Sequence, residues 1–90
     1  MTQVINTEVA VNSFYFADPS GRKPFPRSIE WNGQFISFAS EGLRYLVQQG
    51  GQLVQLFDMT DGDSTYRLRS EGDNWTLVGV TGAGMAGVTL

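Results

Sequence analysis

The chain has 90 residues and a formal net charge of −3 at neutral pH, and 41% of its residues are hydrophobic. This length predicts one domain, and the apolar fraction is too high for a disordered chain. The sequence contains neither cysteine nor histidine, which excludes disulfides, thiolate metal ligands and catalytic arrangements built on either side chain.

Targeting signals are missing from the sequence. Residues 1–10 lack the basic region and apolar run of a secretory signal peptide. No stretch approaches the roughly 18 apolar residues that a membrane span needs. We therefore expect a cytoplasmic protein without a membrane partner.

The first part of the chain predicts a strand followed by a surface connection. Residues 8–16 (EVAVNSFYF) are rich in valine and aromatic residues and alternate weakly, which favours a strand. Residues 17–26 contain the turn-forming run Asp18-Pro19-Ser20-Gly21 and three prolines, which predicts a connection over the surface. Phe25 is expected to hold this connection against the body of the domain.

Asn32-Gly33 lies between two apolar runs, which is the strongest short-range signature of a β-hairpin. A two-residue turn there places Glu30 opposite Phe35. The apolar face of this hairpin then consists of Ile29, Trp31, Ile36 and Phe38. Since opposed residues share a face, Phe35 falls on the polar face and becomes a candidate for contact with a partner.

The next segment predicts one short helix. Ser40 can cap its first turn, and Gly50-Gly51 would end it. A stripe with helical spacing consists of Leu43, Leu46 and Val47. Because so short a helix is unstable alone, it should pack on a sheet and bury this stripe.

The second half predicts a three-stranded meander over residues 52–59, 64–70 and 75–80. In the middle strand, Arg67 and Arg69 share one face, while Tyr66 and Leu68 share the other. Trp31 and Trp75 are expected in the core or at its rim.

Together these elements predict an α+β fold. A small antiparallel sheet, made of the hairpin and the meander, would carry one short helix packed on one face or plugging an open barrel. Residues 1–80 would form the domain, and residues 81–90 a flexible glycine-rich tail.

Two motifs resemble functional sites but lack the required context. GAGMAG at 82–87 matches G-x-G-x-x-G, yet neither a helical pattern nor a ribose-binding acidic residue follows it. Three aspartates crowd the turn after residue 57, without the spacing of a calcium loop. We therefore expect no cofactor, no metal and no catalytic residues, and so no enzyme.

Two functions remain. The first is a noncatalytic protein-interaction module that contacts another protein through a sheet edge or an exposed apolar patch, with Phe35 as a contact. The alternative is a small nucleic-acid-binding domain that uses the sheet face of Arg67 and Arg69. The acidic balance of the chain disfavours phosphate backbones, so nucleic acid is the less expected partner.

Overall fold

The computed structural model of the chain describes residues 2–15, 24–39 and 42–82, which form seven antiparallel strands in a single sheet. The strands are β1 (Thr2–Phe14), β2 (Pro26–Trp31), β3 (Gln34–Ser37), β4 (Gly42–Gln49), β5 (Gln52–Thr60), β6 (Ser64–Glu71) and β7 (Asn74–Gly82). Their order across the sheet is β3-β2-β1-β7-β6-β5-β4. The described residues contain no helix, so the predicted α+β class is wrong and the fold is all-β. Accordingly, no helix in these three ranges could cross a membrane.

Residues 42–49 of the segment predicted as a helix form the strand β4, which pairs with β5 over its whole length. The predicted cap residue Ser40 lies outside the described residues. Gly50 and Gly51 have φ values of 54° and 84°, so they make the two-residue turn of a β4–β5 hairpin. The apolar residues Leu43, Tyr45 and Val47 recur at every second position of β4, so they lie on one face of the strand. As a strand, this segment is stabilised by its pairing with β5 along its whole length. A helix this short would have depended on tertiary packing alone for its stability.

The predicted hairpin and meander are confirmed. In the hairpin, Glu30 lies opposite Phe35, and the turn residues Asn32 and Gly33 have φ values of 53° and 72°. The meander strands fall where the sequence placed them, although β7 continues to Gly82. Phe16, residues 17–23 of the predicted connection and residues 83–90 of the predicted tail lie outside the described residues.

A short connection forces the sheet to curl. β3 and β4 lie at opposite edges, yet only residues 38–41 separate them. A flat seven-stranded sheet would be about 29 Å wide, whereas this connection spans at most about 18 Å. The N–H of Phe38 donates to the carbonyl of Arg27 in β2 at 2.8 Å, and the N–H of Ala39 donates to the carbonyl of Thr60 in β5 at 2.8 Å. The connection therefore joins the two halves of the sheet.

The core lies inside this curl. Its buried members are Val9, Ile29, Phe38, Phe57, Met59, Tyr66, Leu68, Trp75, Leu77 and Val80. The ring of Phe57 lies 5.2 Å from that of Trp75 and meets Phe25 edge-on at 5.6 Å. These contacts confirm that Trp75 belongs to the core and that Phe25 holds its segment against it. Trp31 is partly buried against the same cluster, as predicted.

Candidate functional site

The convex face of the sheet is lined by aliphatic and aromatic side chains on the strands β4, β5 and β7. All described strands belong to one sheet, so within these residues no second layer covers this face. Because side chains alternate along a strand, the neighbours of the core residues point outward. We call the following set the outer apolar face: Leu43, Tyr45, Val47, Val54, Leu56 and Val78.

This face is uneven in its exposure. Leu43 is 60% exposed and Tyr45 is 39% exposed, whereas Val54 is almost fully buried among its neighbours. A cavity of about 170 Å³ lies beside Val54, and its wall includes Val47 and Val78. The apolar surface is therefore most accessible along β4.

β4 is also an edge strand. It has β5 on one side, and no described strand lies on the other. Its pairing with β5 runs from Gly42 to Gln49 without a bulge. The opposite edge, β3, has only 4 residues, whereas β4 has 8. The long regular edge and the exposed part of the outer apolar face thus coincide on one strand.

Arg67 lies beside this surface and is held by a carboxylate. Its Nε donates to Oδ1 of Asp58 and its Nη2 donates to Oδ2, both at 2.8 Å. The hydrogen bonds to Asp58 raise the pKa of the Arg67 guanidinium, which stays charged. The guanidinium carbon also lies 5.6 Å from the centre of the Tyr45 ring. Arg67 thereby links β6 to both β5 and β4.

Arg69 also has a carboxylate partner. Its Nε lies 2.9 Å from Oε1 of Glu71, although the N–H does not point at an acceptor. The contact is therefore ionic rather than a well-directed hydrogen bond. Both predicted arginines share the outer face of β6, as expected, and both are already paired with carboxylates.

Phe35 is 70% exposed, which confirms that the hairpin leaves it outside the core. The structure does not bring it together with the arginines. Phe35 lies on β3 and Arg67 on β6, so four interstrand spacings of the sheet separate them, or roughly 19 Å along the sheet. A single small contact surface therefore cannot be built from all three predicted residues.

Two features of the site were missed by sequence reasoning. The helical interpretation hid the outward row of Leu43, Tyr45 and Val47. The signal that could have revealed it is Gly50-Gly51, since two glycines between apolar runs also favour a hairpin turn. Asp58 was grouped with the turn aspartates, whereas the register of β5 and β6 places it directly opposite Arg67.

The turn between β5 and β6 is organised by Asp61. Its Oδ1 accepts hydrogen bonds from the N–H groups of Asp63 at 2.9 Å and Ser64 at 2.8 Å, and its Oδ2 accepts one from the Tyr66 hydroxyl at 2.9 Å. Burial alone would raise the pKa of Asp61, but these hydrogen bonds outweigh it and lower the pKa. The prediction of a turn is confirmed. Among the residues described, no three acidic side chains are grouped to hold a metal ion.

Comparison of the chain with protein-family models, with curated proteins and with solved structures finds no match.

Proposed function

We propose that this chain is a noncatalytic, cytoplasmic protein-interaction module that binds a protein along the edge of β4 that no described strand covers (its free edge). The supporting observation is the coincidence on β4 of an 8-residue edge and exposed apolar side chains. An edge strand presents a row of N–H and C=O groups that another strand can pair with. Side chains beside the edge then add the apolar contacts that give such pairing its selectivity.

The composition of β4 supports this use of the edge. Soluble proteins commonly protect an edge with lysine, proline, a bulge or a very short strand. The segment GLRYLVQQ contains no lysine and no proline, and its register is regular. β3, by contrast, is protected by its short length. The two edges therefore differ in how readily they accept another strand.

Nucleic-acid binding through Arg67 and Arg69 has weaker support. Each arginine would have to leave its carboxylate, Asp58 or Glu71, to contact a phosphate. Binding to phosphates gains most from cations that release counterions, and an arginine that exchanges one anion for another gains less.

Photo-crosslinking in the cells that make the protein tests the proposal. In one variant a benzophenone amino acid would replace Tyr45, and in a second variant it would replace Phe35. The control variant would carry it in place of Asp73, which lies in the exposed β6–β7 turn. We expect crosslinks to protein at position 45 well above those at position 73. Leu46→Pro in the same chain should abolish them, because it removes an edge N–H. Crosslinks at Phe35 alone, or none above the control, would contradict the proposal.

A further inference from the structure

We propose that the partner of the β4 edge is a second copy of this chain, paired antiparallel with β4 about a twofold axis at Tyr45. This inference rests on the proposed function and names the partner. It follows from the hydrogen-bonding pattern, the side chains and the charges of one strand.

The hairpin turn determines which backbone groups of β4 face the free edge. Gln49 and Gln52 flank the two-residue turn and are paired, so they exchange hydrogen bonds. Bonded pairs then recur at every second residue, which directs the odd-numbered residues of β4 toward β5. The residues that present N–H and C=O to the free edge are therefore Gly42, Arg44, Leu46 and Gln48.

Only one symmetric register uses all of these groups. A twofold axis at Tyr45 places Gly42 opposite Gln48 of the second copy, and Arg44 opposite Leu46. The twofold axis repeats both pairs, so four such pairs form. Each pair exchanges two hydrogen bonds, which gives about eight across the interface. An axis at Leu46 leaves Gly42 outside the paired strands and gives about six. An axis at Arg44 also gives about six and places two arginines directly opposite each other.

The same register joins the exposed apolar side chains. Tyr45 meets Tyr45 of the second copy in a non-hydrogen-bonded pair, where Cα atoms approach to about 4.5 Å. Leu43 lies opposite Val47, so the two outer apolar faces become continuous. Directly opposed aromatic and branched side chains stabilise a sheet. Leu43, now 60% exposed, gains a neighbour on its open side.

The charges of β4 permit this pairing. Arg44 is the only charged residue of the strand. Its guanidinium carbon lies 4.8 Å from the centre of the Phe25 ring and 5.2 Å from that of Phe57, on the concave side of the sheet. In the register about Tyr45 each Arg44 directly faces Leu46, and the two Arg44 residues are diagonal neighbours about 7–8 Å apart, so like charges are not directly opposed.

Single cysteines test the register directly, since the sequence contains none. Under mild oxidation, purified Tyr45→Cys should form a disulfide-linked dimer, because its Cα separation falls in the range that disulfides require. Val47→Cys alone is the matched control and should not crosslink. A mixture of Leu43→Cys and Val47→Cys should give the mixed dimer. Self-crosslinking of Leu46→Cys in place of Tyr45→Cys would overturn the register.

Sedimentation equilibrium on the unmodified protein tests the dimer itself. Leu46→Pro removes an edge N–H while leaving the bonds to β5 intact. It should raise the dimer dissociation constant at least tenfold, whereas Leu46→Ala, which keeps the N–H, should dimerise nearly as well as the parent chain. Circular dichroism would establish that both variants remain folded.

The outcomes separate the two proposals. If the parent chain is still monomeric at about 0.5 mM, its affinity for a second copy is too weak to matter in a cell. That result would overturn self-pairing. If crosslinks at position 45 in cells then join other proteins and depend on the edge, the proposed function stands without self-pairing. If those crosslinks are also missing, both proposals fall.

Discussion

The hydroxyl of Tyr66 on β6 donates a hydrogen bond of 2.9 Å to Oδ2 of Asp61 in the turn that precedes the strand. This bond ties a buried core residue to the surface turn that starts its strand. Burial, the hydrogen bond to Asp61 and the charges of Asp61 and Asp63 together raise the pKa of Tyr66 to about 12.

Stability should fall at alkaline pH because of Tyr66. In the unfolded chain a tyrosine ionises near pH 10, whereas Tyr66 in the folded chain ionises near 12. Between these values unfolding releases a proton, so the free energy of unfolding decreases as pH rises. Urea unfolding at about pH 9, 10 and 11 should show this slope. Tyr66→Phe should reduce this slope, and an equal slope in the parent chain and in Tyr66→Phe would refute the assignment.

Gly33→Val should lower the free energy of unfolding by about 1 kcal/mol or more, because a β-branched residue resists positive φ. Gly33 has a φ of 72°, and an added Cβ would meet nothing within 4 Å. The loss would therefore come from the backbone and not from a clash. Gly33→Asn, which tolerates this conformation, is the control and should cost less. Thermal unfolding of both variants would decide, and equal stability of the two would argue against a strained turn.

Leu68→Ala should cost about 2–5 kcal/mol, since Leu68 is fully buried and its loss would leave a cavity. Leu46→Ala should change stability by less than about 0.5 kcal/mol, as is usual for a surface site, because Leu46 is 60% exposed. Chemical denaturation of the two variants, at concentrations where the protein is monomeric, measures both values. A helix over 40–50 was expected to bury Leu46. A loss of several kcal/mol for Leu46→Ala would therefore contradict its exposed position on β4.

Nucleic acid should bind only weakly at physiological salt. Arg67 and Arg69 are paired with carboxylates, and Glu8 lies on the same face, opposite Thr76, which is itself opposite Arg69. We expect dissociation constants above about 1 μM, in the nonspecific range, for mixed single-stranded DNA and RNA in fluorescence-anisotropy titrations. Submicromolar binding that is lost when both arginines become alanine would instead favour the nucleic-acid function.

The strands were predictable where the local turn chemistry had one interpretation. Asn32-Gly33 favours a primed turn, so the register of the first hairpin followed from the residues alone. Gly50-Gly51 fits both a helix end and a hairpin turn, and Leu43, Leu46 and Val47 fit helical spacing. The choice between them depends on β5 as a pairing partner, which is a tertiary contact that a local pattern does not contain.

The candidate site was predictable only in part. The shared face of Arg67 and Arg69 and the exposure of Phe35 follow from alternation along a strand. Their separation does not, because it depends on the order of strands in the sheet. The edge position of β4 likewise depends on β1 pairing with β7, between residues far apart in the sequence.

The pairing of β1 with β7 also affects how the chain folds while it is being synthesised. Thr2 lies opposite Thr81 and Val9 lies opposite Trp75, so the middle of the sheet joins the first described strand to the last. Contacts of such high sequence separation form slowly. On the ribosome, Val9 and Ile29 must wait for Trp75 and Leu77 to emerge before their apolar surface is covered. Until then a nascent chain presents that surface to chaperones and to neighbouring copies.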